Sequence, residues 1–221
     1  NYTTTDSRGR EKVHPCEYVI GADVAEGIHD DKDHDYSTAD VFRVDSWEHV
    51  ASFWGRCDPA DFANLLDWLG KEYNKAELCV ERNNHGGTVL MRLIDLSYPN
   101  IYYHRVVRTV NGEHVEDLVA GYPKTLKTKP DVDNGLGKAI SEAAMGLDSI
   151  ILNGRRAIGE LIHYVKMPGN KAGGEGRSHD DHNSSLGLGV YLLSSRGRTE
   201  IELEQDAYTP AYGNSSRLGR R

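Results

Sequence analysis

Two short apolar segments, each followed directly by an acid, constrain the fold of this chain more than any other feature. Residues 18–22 (YVIGA) precede Asp23, and residues 76–80 (AELCV) precede Glu81. Short apolar runs of this kind predict strands buried within a sheet. A carboxylate at the end of a buried strand is costly unless a cation lies beside it. The two acids therefore predict a sheet edge that holds either metal ions or basic side chains.

Helical patterns alternate with these strands along the chain. Asp58 followed by Pro59 predicts the start of a helix, and apolar residues recur at helical spacing over residues 62–69. Residues 37–45 and 49–54 predict further strands, and residues 101–104 predict a short strand before Pro- and Gly-containing loops. We predict an α/β fold in which helices flank a mixed sheet. The other predicted helices cover residues 89–96, 131–145, 155–164 and 178–193.

Length and composition favour one globular domain. The 221 residues include 38% hydrophobic and 27% charged residues, without an apolar window long enough to span a membrane. The cysteines Cys16, Cys57 and Cys79 form no CxxC pair, which disfavours a disulfide framework and a structural zinc site. We predict a flexible lead-in over residues 1–16, the domain over residues 17–195 and a C-terminal tail over residues 196–221.

A third acidic position completes a candidate metal site. Asp180 and Asp181 open the predicted last helix. Together with Asp23 and Glu81 they supply the oxygen ligands that Mg²⁺ prefers, in numbers that suit a pair of ions. We assign Asp180 as the helical ligand. Asp181 is an auxiliary ligand, because Ser178 followed three residues later by an acid also matches a capping box.

Structural explanations for the same acids stay open. Asp23 as a salt-bridged or turn-capping residue and Glu81 as a surface partner of Arg82 are the alternatives to metal binding. The acidic stretch 31–35 lacks the glycine and the final glutamate of a calcium loop. The histidine spacing matches no standard zinc site. His179 or His182 could instead serve beside the metals as a proton shuttle.

The charge balance bears on nucleic-acid binding. A net charge of -8 disfavours strong sequence-independent binding to a polyanion. Lys124, Lys127 and Lys129 form a local basic stretch that can contact phosphate groups, or that simply keeps the surface soluble. Residues 135–138 (GLGK) lack the spacing of a P-loop, so no ATPase motif is predicted in this chain.

Four short motifs occur in order along the chain: residues 21–27 (GADVAEG), 35–37 (DYS), 81–86 (ERNNHG) and 179–181 (HDD). A stretch of threonines and lysines lies between the last two, over residues 121–129 (GYPKTLKTK). Together the four motifs resemble the nuclease domain of the large terminase subunit of tailed bacteriophages, a member of the ribonuclease H-like superfamily. The stretch over residues 121–129 resembles the segment that precedes a helix in these domains.

The resemblance implies a ribonuclease H-like endodeoxyribonuclease that cuts double-stranded DNA during viral genome packaging, with two Mg²⁺ or Mn²⁺ ions. Asp23, Glu81 and Asp180 would be the catalytic metal ligands, and Asp35 would match a further metal contact seen in some members. The implied partners are double-stranded DNA, an N-terminal ATPase domain of the same protein, the small terminase subunit and the portal of the procapsid, without a membrane. The implied location is the host cytoplasm, transiently at the portal.

Two other functions remain as alternatives. A junction resolvase or transposase-type nuclease would use the same acids on branched or end-specific DNA. A non-catalytic docking module of the same fold would bind metal weakly and cut nothing.

Overall fold

The computed structural model describes residues 2–5, 11–25, 36–110, 113–162, 164–167, 171–174 and 181–196. Its side chains are described for residues 15–25, 36–109, 113–162 and 182–196. The strands are β1 (Tyr2–Thr5), β2 (Glu11–His14), β3 (Tyr18–Asp23), β4 (Ser37–Arg43), β5 (Glu48–Gly55), β6 (Glu77–Val80), β7 (Tyr103–Val110), β8 (Glu113–Ala120), β9 (Tyr164–Met167) and β10 (Lys171–Gly174). The helices are α1 (Pro59–Glu72), α2 (Gly86–Asp95), α3 (Lys129–Ala144), α4 (Arg155–Ile162) and α5 (Asp181–Arg196).

A four-stranded mixed sheet forms the centre of the fold, in the order β5-β4-β3-β6. Strand β3 pairs antiparallel with β4 and parallel with β6. This arrangement confirms the predicted mixed sheet. The apolar runs form β3 and β6 because both faces of these strands are covered, so that the residues between Tyr18 and Asp23 and those after Glu77 are buried.

Helices cover both faces of the sheet. Ile20 and Ala22 of β3 face a core that includes the apolar sides of α1 and α2. Val19 of β3 and Phe42 of β4 face the opposite core, which α3 and α5 close. The helix predicted at Pro59 is confirmed as α1. Asp58 lies at its N-cap without a side-chain capping hydrogen bond.

Helix α5 lies unusually close to β3. A Cβ atom added to Gly21 would overlap the backbone oxygen of Ser185 and the backbone nitrogen of Gly189. Only a residue without a side chain fits between the strand and the helix here. Gly21 therefore sets the depth at which α5 packs, close to the end of the strand that carries Asp23.

A hairpin occupies much of the region predicted as loops after residue 104. Strands β7 and β8 pair antiparallel from Tyr103 and Ala120 outward, and exposed ion pairs join them at Arg105–Glu116 (3.1 Å) and Arg108–Asp117 (3.0 Å). The loop prediction was wrong because most of these side chains are exposed, so the sequence lacks the alternation of a half-buried strand.

Two smaller pairings lie near the chain's predicted irregular segments. Strands β1 and β2 pair within the predicted lead-in, and β9 pairs with β10. The predicted domain boundaries remain a prediction. Within the part of the chain that the structure describes, no helix has the length and apolar character needed to cross a bilayer.

Candidate metal centre

Asp23 and Glu81 lie at the same edge of the central sheet. Asp23 is the last residue of β3, and Glu81 directly follows the neighbouring parallel strand β6. The Glu81 amide donates a 2.8 Å hydrogen bond to the carbonyl of Ala22, which places the two acids on adjacent chains at their carboxyl ends. Open α/β sheets bind ligands at this edge. The predicted convergence of these two acids is therefore present.

Lys124 lies at this edge beside the Glu81 carboxylate. Its Nζ atom is 3.1 Å from Glu81 Oε2, and it also donates a hydrogen bond to the hydroxyl of Ser184 in α5. The Asn83 amide donates to Glu81 Oε1 at 3.2 Å. The side chains of Lys124 and Glu81 are only 14% and 13% exposed, so this ion pair is largely shielded from water. Lys124 thus links Glu81, at the end of β6, to helix α5.

A short backbone pairing brings Lys124 to the site. Tyr122 pairs alongside the end of β6, because its amide donates to the Val80 carbonyl and its carbonyl accepts from the Arg82 amide, at 2.8 and 2.9 Å. The Asn83 side chain then donates to the carbonyl of Lys124 at 2.5 Å. The Asn83 side chain therefore contacts both the Glu81 carboxylate and the backbone of Lys124, the residue that pairs with this carboxylate.

The electrostatics of the site show how closely its charges interact. Burial and the nearby charge of Asp23 raise the pKa of Glu81 to about 7, although Lys124 and Lys129 oppose this shift. Burial alone would lower the pKa of Lys124, but the carboxylates of Glu81 and Asp23 outweigh burial and raise it. Each of the two neighbouring carboxylates makes the charged form of the other less favourable. A cation bound beside them would offset this repulsion.

A buried charged cluster lies under the first turn of α5. Asp40 of β4 is completely buried, with Oδ1 2.9 Å from His49 Nε2 and Oδ2 3.0 Å from His182 Nδ1. The hydroxyl of Ser185 donates to Asp40 Oδ2 at 2.5 Å. The amide of His182 donates to Glu160 Oε2 at 2.9 Å, so a side chain of α4 accepts from the start of α5. These contacts fix the N-terminal turn of α5 to the sheet.

Most of the remaining predicted metal ligands lie outside the residues that the structure describes. Asp35, His179 and Asp180 lie outside the described residues, and Asp181 is described only as the first residue of α5. His182, predicted as a possible proton shuttle, contacts Asp40 beneath the helix. No cluster of three or more potential metal-binding His, Cys, Asp or Glu residues occurs among the residues whose side chains are described.

The three predicted DNA-contacting lysines occupy different environments. Lys124 pairs with Glu81 within the site, Lys127 is exposed in the turn before α3, and Lys129 begins α3 half-buried. Sequence reasoning did not identify Asn83, Ser184 or the Asp40 cluster as parts of this region. An isolated aspartate inside a β-rich apolar segment, as at Asp40, is the one signal that could have found the cluster.

The donor set suits a hard divalent cation. Asp23 and Glu81 present carboxylate oxygens, and no described sulfur or imidazole ligand accompanies them at this edge. The raised pKa of Glu81 indicates that its charged form lacks full compensation from Lys124 and Lys129. Oxygen ligands of this kind favour Mg²⁺ or Mn²⁺ over softer metals.

Comparisons with known proteins agree on one fold. The nuclease of the large terminase from thermophilic phage G20c, in a structure with bound magnesium, superposes with a TM-score of 0.60 at 18% identity, covering 79% of this chain and 80% of that one. A cobalt-bound structure of the same nuclease gives a TM-score of 0.56 at 19% identity, with coverage of 79% and 80%. The large terminase nuclease domain of Thermus phage P74-26 gives 0.54 at 19% identity, with coverage of 79% and 78%.

Similarity in sequence alone is too low to add to this result. No protein-family model matches the chain, and no curated protein matches it. The resemblance that the four sequence motifs indicated is confirmed at the level of three-dimensional structure. The chain therefore has the mixed-sheet, ribonuclease H-like fold of the nuclease domains of large terminases.

Proposed function

We propose that this chain is the metal-dependent endonuclease domain of a viral DNA-packaging terminase large subunit. It would hydrolyse phosphodiester bonds of double-stranded DNA to generate genome ends. The observation that carries this proposal is the placement of Asp23 and Glu81 at the ends of adjacent strands, where each influences the charge of the other. The magnesium and cobalt bound in the similar terminase nucleases support a metal-dependent reaction.

Three acids would hold the metals in this proposal. Asp23 and Glu81, which lie at the sheet edge, would form a site for two Mg²⁺ or Mn²⁺ ions together with Asp180, with Asp181 and Asp35 as further ligands. Such ions, when bound, activate a water molecule and stabilise the leaving oxygen of a phosphodiester. Contacts from Asn83 and Lys124 hold the Glu81 carboxylate in position for that role.

Lys124 and Asn83 act as organisers of the site. Lys124 lies near both Glu81 and Asp23, so its ammonium group offsets part of their repulsion before DNA arrives. Asn83 orients Glu81 by donating to one oxygen while Lys124 contacts the other. Because an ammonium group also attracts phosphate, Lys124 is suited to lie beside the scissile phosphodiester.

The proposal includes a place in a larger assembly. The chain would work beside an N-terminal ATPase domain of the same protein, with the small terminase subunit and the procapsid portal as further partners. Its location would be the host cytoplasm. A net charge of -8 fits an enzyme that depends on these partners for firm contact with DNA.

A plasmid cleavage assay tests the function. Purified protein is incubated with supercoiled plasmid in Mg²⁺, in Mn²⁺ or in EDTA, and the products are separated on an agarose gel. We expect metal-dependent nicking and linearisation by the wild type and by Asp61→Ala, which removes an exposed acid from the first turn of α1. Asp23→Ala should abolish both products.

Each of the other outcomes of this assay favours a different role for Asp23 or for the chain. Cleavage that survives Asp23→Ala would return Asp23 to a structural role. Cleavage of branched DNA in strong preference to plasmid would favour the resolvase-type alternative. An absence of cleavage in every metal, with correctly folded protein, would favour the docking module.

A further inference from the structure

Four side chains form a continuous stack beside the candidate metal centre. The rings of Tyr36 and Trp54 stack with centroids 3.6 Å apart and an interplanar angle of 21°. The guanidinium carbon of Arg156 lies 3.6 Å from the Trp54 ring centroid, and that of Arg56 lies 4.5 Å from the Tyr36 centroid. Since each ring uses one face for the other ring, the two arginines cover the outer faces.

Strand register places this stack on the same face as Asp23. Asp23 pairs with Thr38 of β4, and Thr38 pairs with Trp54 of β5, so the three side chains form one row across the sheet. Phe53, the preceding residue of β5, packs on the opposite face against Phe62 of α1. Two strand spacings separate Trp54 from Asp23, a distance of about 10 Å.

The stacked arginines are cations held in positions that suit the binding of an anion. Arg156 lies in the first turn of α4, and its side chain is exposed although its planar group rests on the indole. Stacking uses the face of a guanidinium and leaves its N–H donors at the edge, where they match the oxygens of a phosphate group. Because the indole already restricts Arg156, less side-chain freedom is lost when an anion binds.

The position of these arginines beside the acids contrasts with the overall negative charge of the chain. The chain carries a net charge of -8, so cations held at fixed positions beside the acids are not a general property of its surface. Of the basic residues nearest Glu81, Lys124 is already engaged within the site. The stack therefore offers a separate place for phosphate on the β5 side of Asp23.

We propose that Arg156, supported by Trp54 and with Arg56 at the other end of the stack, binds a backbone phosphate of duplex DNA next to the cleaved bond. This inference rests on the proposed nuclease function and adds a substrate-positioning surface to it. The contact is sequence-independent, because it uses only phosphate oxygens. Arg156 rests on Trp54, which is two strands away from Asp23, so we assign it as a positioning residue.

Binding measurements in a non-cleaving background test the surface. The parent is Asp23→Asn, and the probe is a fluorescein-labelled DNA duplex followed by anisotropy over about 50 to 200 mM salt. Arg156→Gln should weaken binding about three- to tenfold and lower the slope of log K against log salt by about 1. Arg156→Lys keeps the charge but lacks the planar guanidinium group. Its affinity for DNA should lie between that of the parent and that of Arg156→Gln.

Arg155→Gln provides the matched control, because it removes the same charge from the adjacent exposed position of α4. It should change affinity by less than about twofold. Equal effects of Arg155→Gln and Arg156→Gln, or no effect of either, would overturn the inference. Thermal melts of the variants identify any loss of affinity that comes from unfolding.

Cleavage kinetics separate this inference from the proposed function. With Asp23 intact, Arg156→Gln should raise the KM for plasmid and leave kcat nearly unchanged. Metal-dependent cleavage with an unchanged KM would overturn the phosphate surface alone. A wild-type protein that cuts no DNA in any metal, and whose Asp23→Asn form binds no duplex, would overturn both.

Discussion

The buried carboxylate of Asp40 lies 3.0 Å from Nδ1 of His182 and thereby joins strand β4 to the first turn of α5. Burial alone would raise the pKa of Asp40, but hydrogen bonds from His182 and His49 outweigh burial and lower it. The carboxylate is therefore ionised beneath the helix that begins at Asp181, the predicted auxiliary metal ligand. A charged group in this position ties the placement of α5 to the sheet that carries Asp23.

Replacing Asp40 should destabilise the fold strongly. Asp40→Asn replaces the carboxylate that contacts both His49 and His182, and each lost hydrogen bond to a buried charged group costs about 1.5 to 3 kcal/mol. Urea denaturation at neutral pH measures the change. Asp117→Asn is the control, because Asp117 pairs with Arg108 on the exposed β7–β8 hairpin and its loss should cost no more than about 1 kcal/mol. Similar losses for the two variants would show that the buried cluster contributes little.

The close approach of α5 to β3 gives a second prediction. Gly21→Ala should lower the free energy of unfolding by about 2 to 3 kcal/mol, because the new methyl group overlaps backbone atoms of Ser185 and Gly189. Gly137→Ala in α3 should instead stabilise by about 0.5 to 1 kcal/mol, since its Cβ meets no other atom and alanine favours a helix. Chemical denaturation with unchanged m-values tests both. A tolerated Gly21→Ala would mean that α5 sits further from the sheet.

Lys124 should matter most when no metal is present. Lys124→Gln leaves the shielded Glu81 carboxylate near Asp23 without its ammonium partner, which should cost about 1 to 3 kcal/mol in EDTA at pH values above neutral. Added Mg²⁺ should raise the melting temperature of this variant more than that of the wild type, because the ion replaces the missing positive charge.

Lys127→Gln is the control for that experiment. Lys127 is exposed in the turn before α3, so its loss should change stability by no more than about 0.5 kcal/mol in EDTA or Mg²⁺. An equal response of the two variants to Mg²⁺ would contradict a specific link between Lys124 and metal binding. The comparison uses stability alone, so its result does not depend on nuclease activity.

The sequence predicted the central sheet and the meeting of two acids because both follow from local patterns. Runs of apolar residues specify β3 and β6, and the parallel pairing of these strands then brings Asp23 and Glu81 to one edge. The β7–β8 hairpin escaped prediction because its exposed strands carry no buried face. Local pattern alone does not encode pairing that depends on cross-strand contacts between exposed residues.

Contacts between distant segments account for what the sequence could not reveal about the site. Lys124 reaches Glu81 only because Tyr122 pairs beside the end of β6. The Tyr36–Trp54 stack forms across neighbouring strands and takes Arg156 from a helix about a hundred positions further along. Each is a tertiary relationship between residues whose individual patterns look like ordinary surface or loop. Their chemistry becomes visible once the register of the sheet is known.

The raised pKa of Glu81 predicts how the stability of the metal-free protein depends on pH. Its ordinary value is 4.5, and burial together with Asp23 raises the pKa to about 7 in the folded state. Between these values the folded protein binds more protons than the unfolded chain, so the free energy of unfolding falls as pH rises. The contribution of this one group is at most about 3 kcal/mol.

Two variants isolate that contribution from other groups that titrate in the same range. Glu81→Gln should remove it, so that the variant gains stability relative to wild type as pH rises from about 5 to 8 in EDTA. Asp23→Asn should reduce it, because the Asp23 charge is the largest cause of the shift after burial, and should leave the metal-free fold at least as stable as wild type. Urea denaturation across this pH range measures the differences. Parallel pH profiles for all three proteins would show that the two carboxylates do not interact, and a markedly destabilised Asp23→Asn would indicate a structural role for Asp23 in place of metal binding.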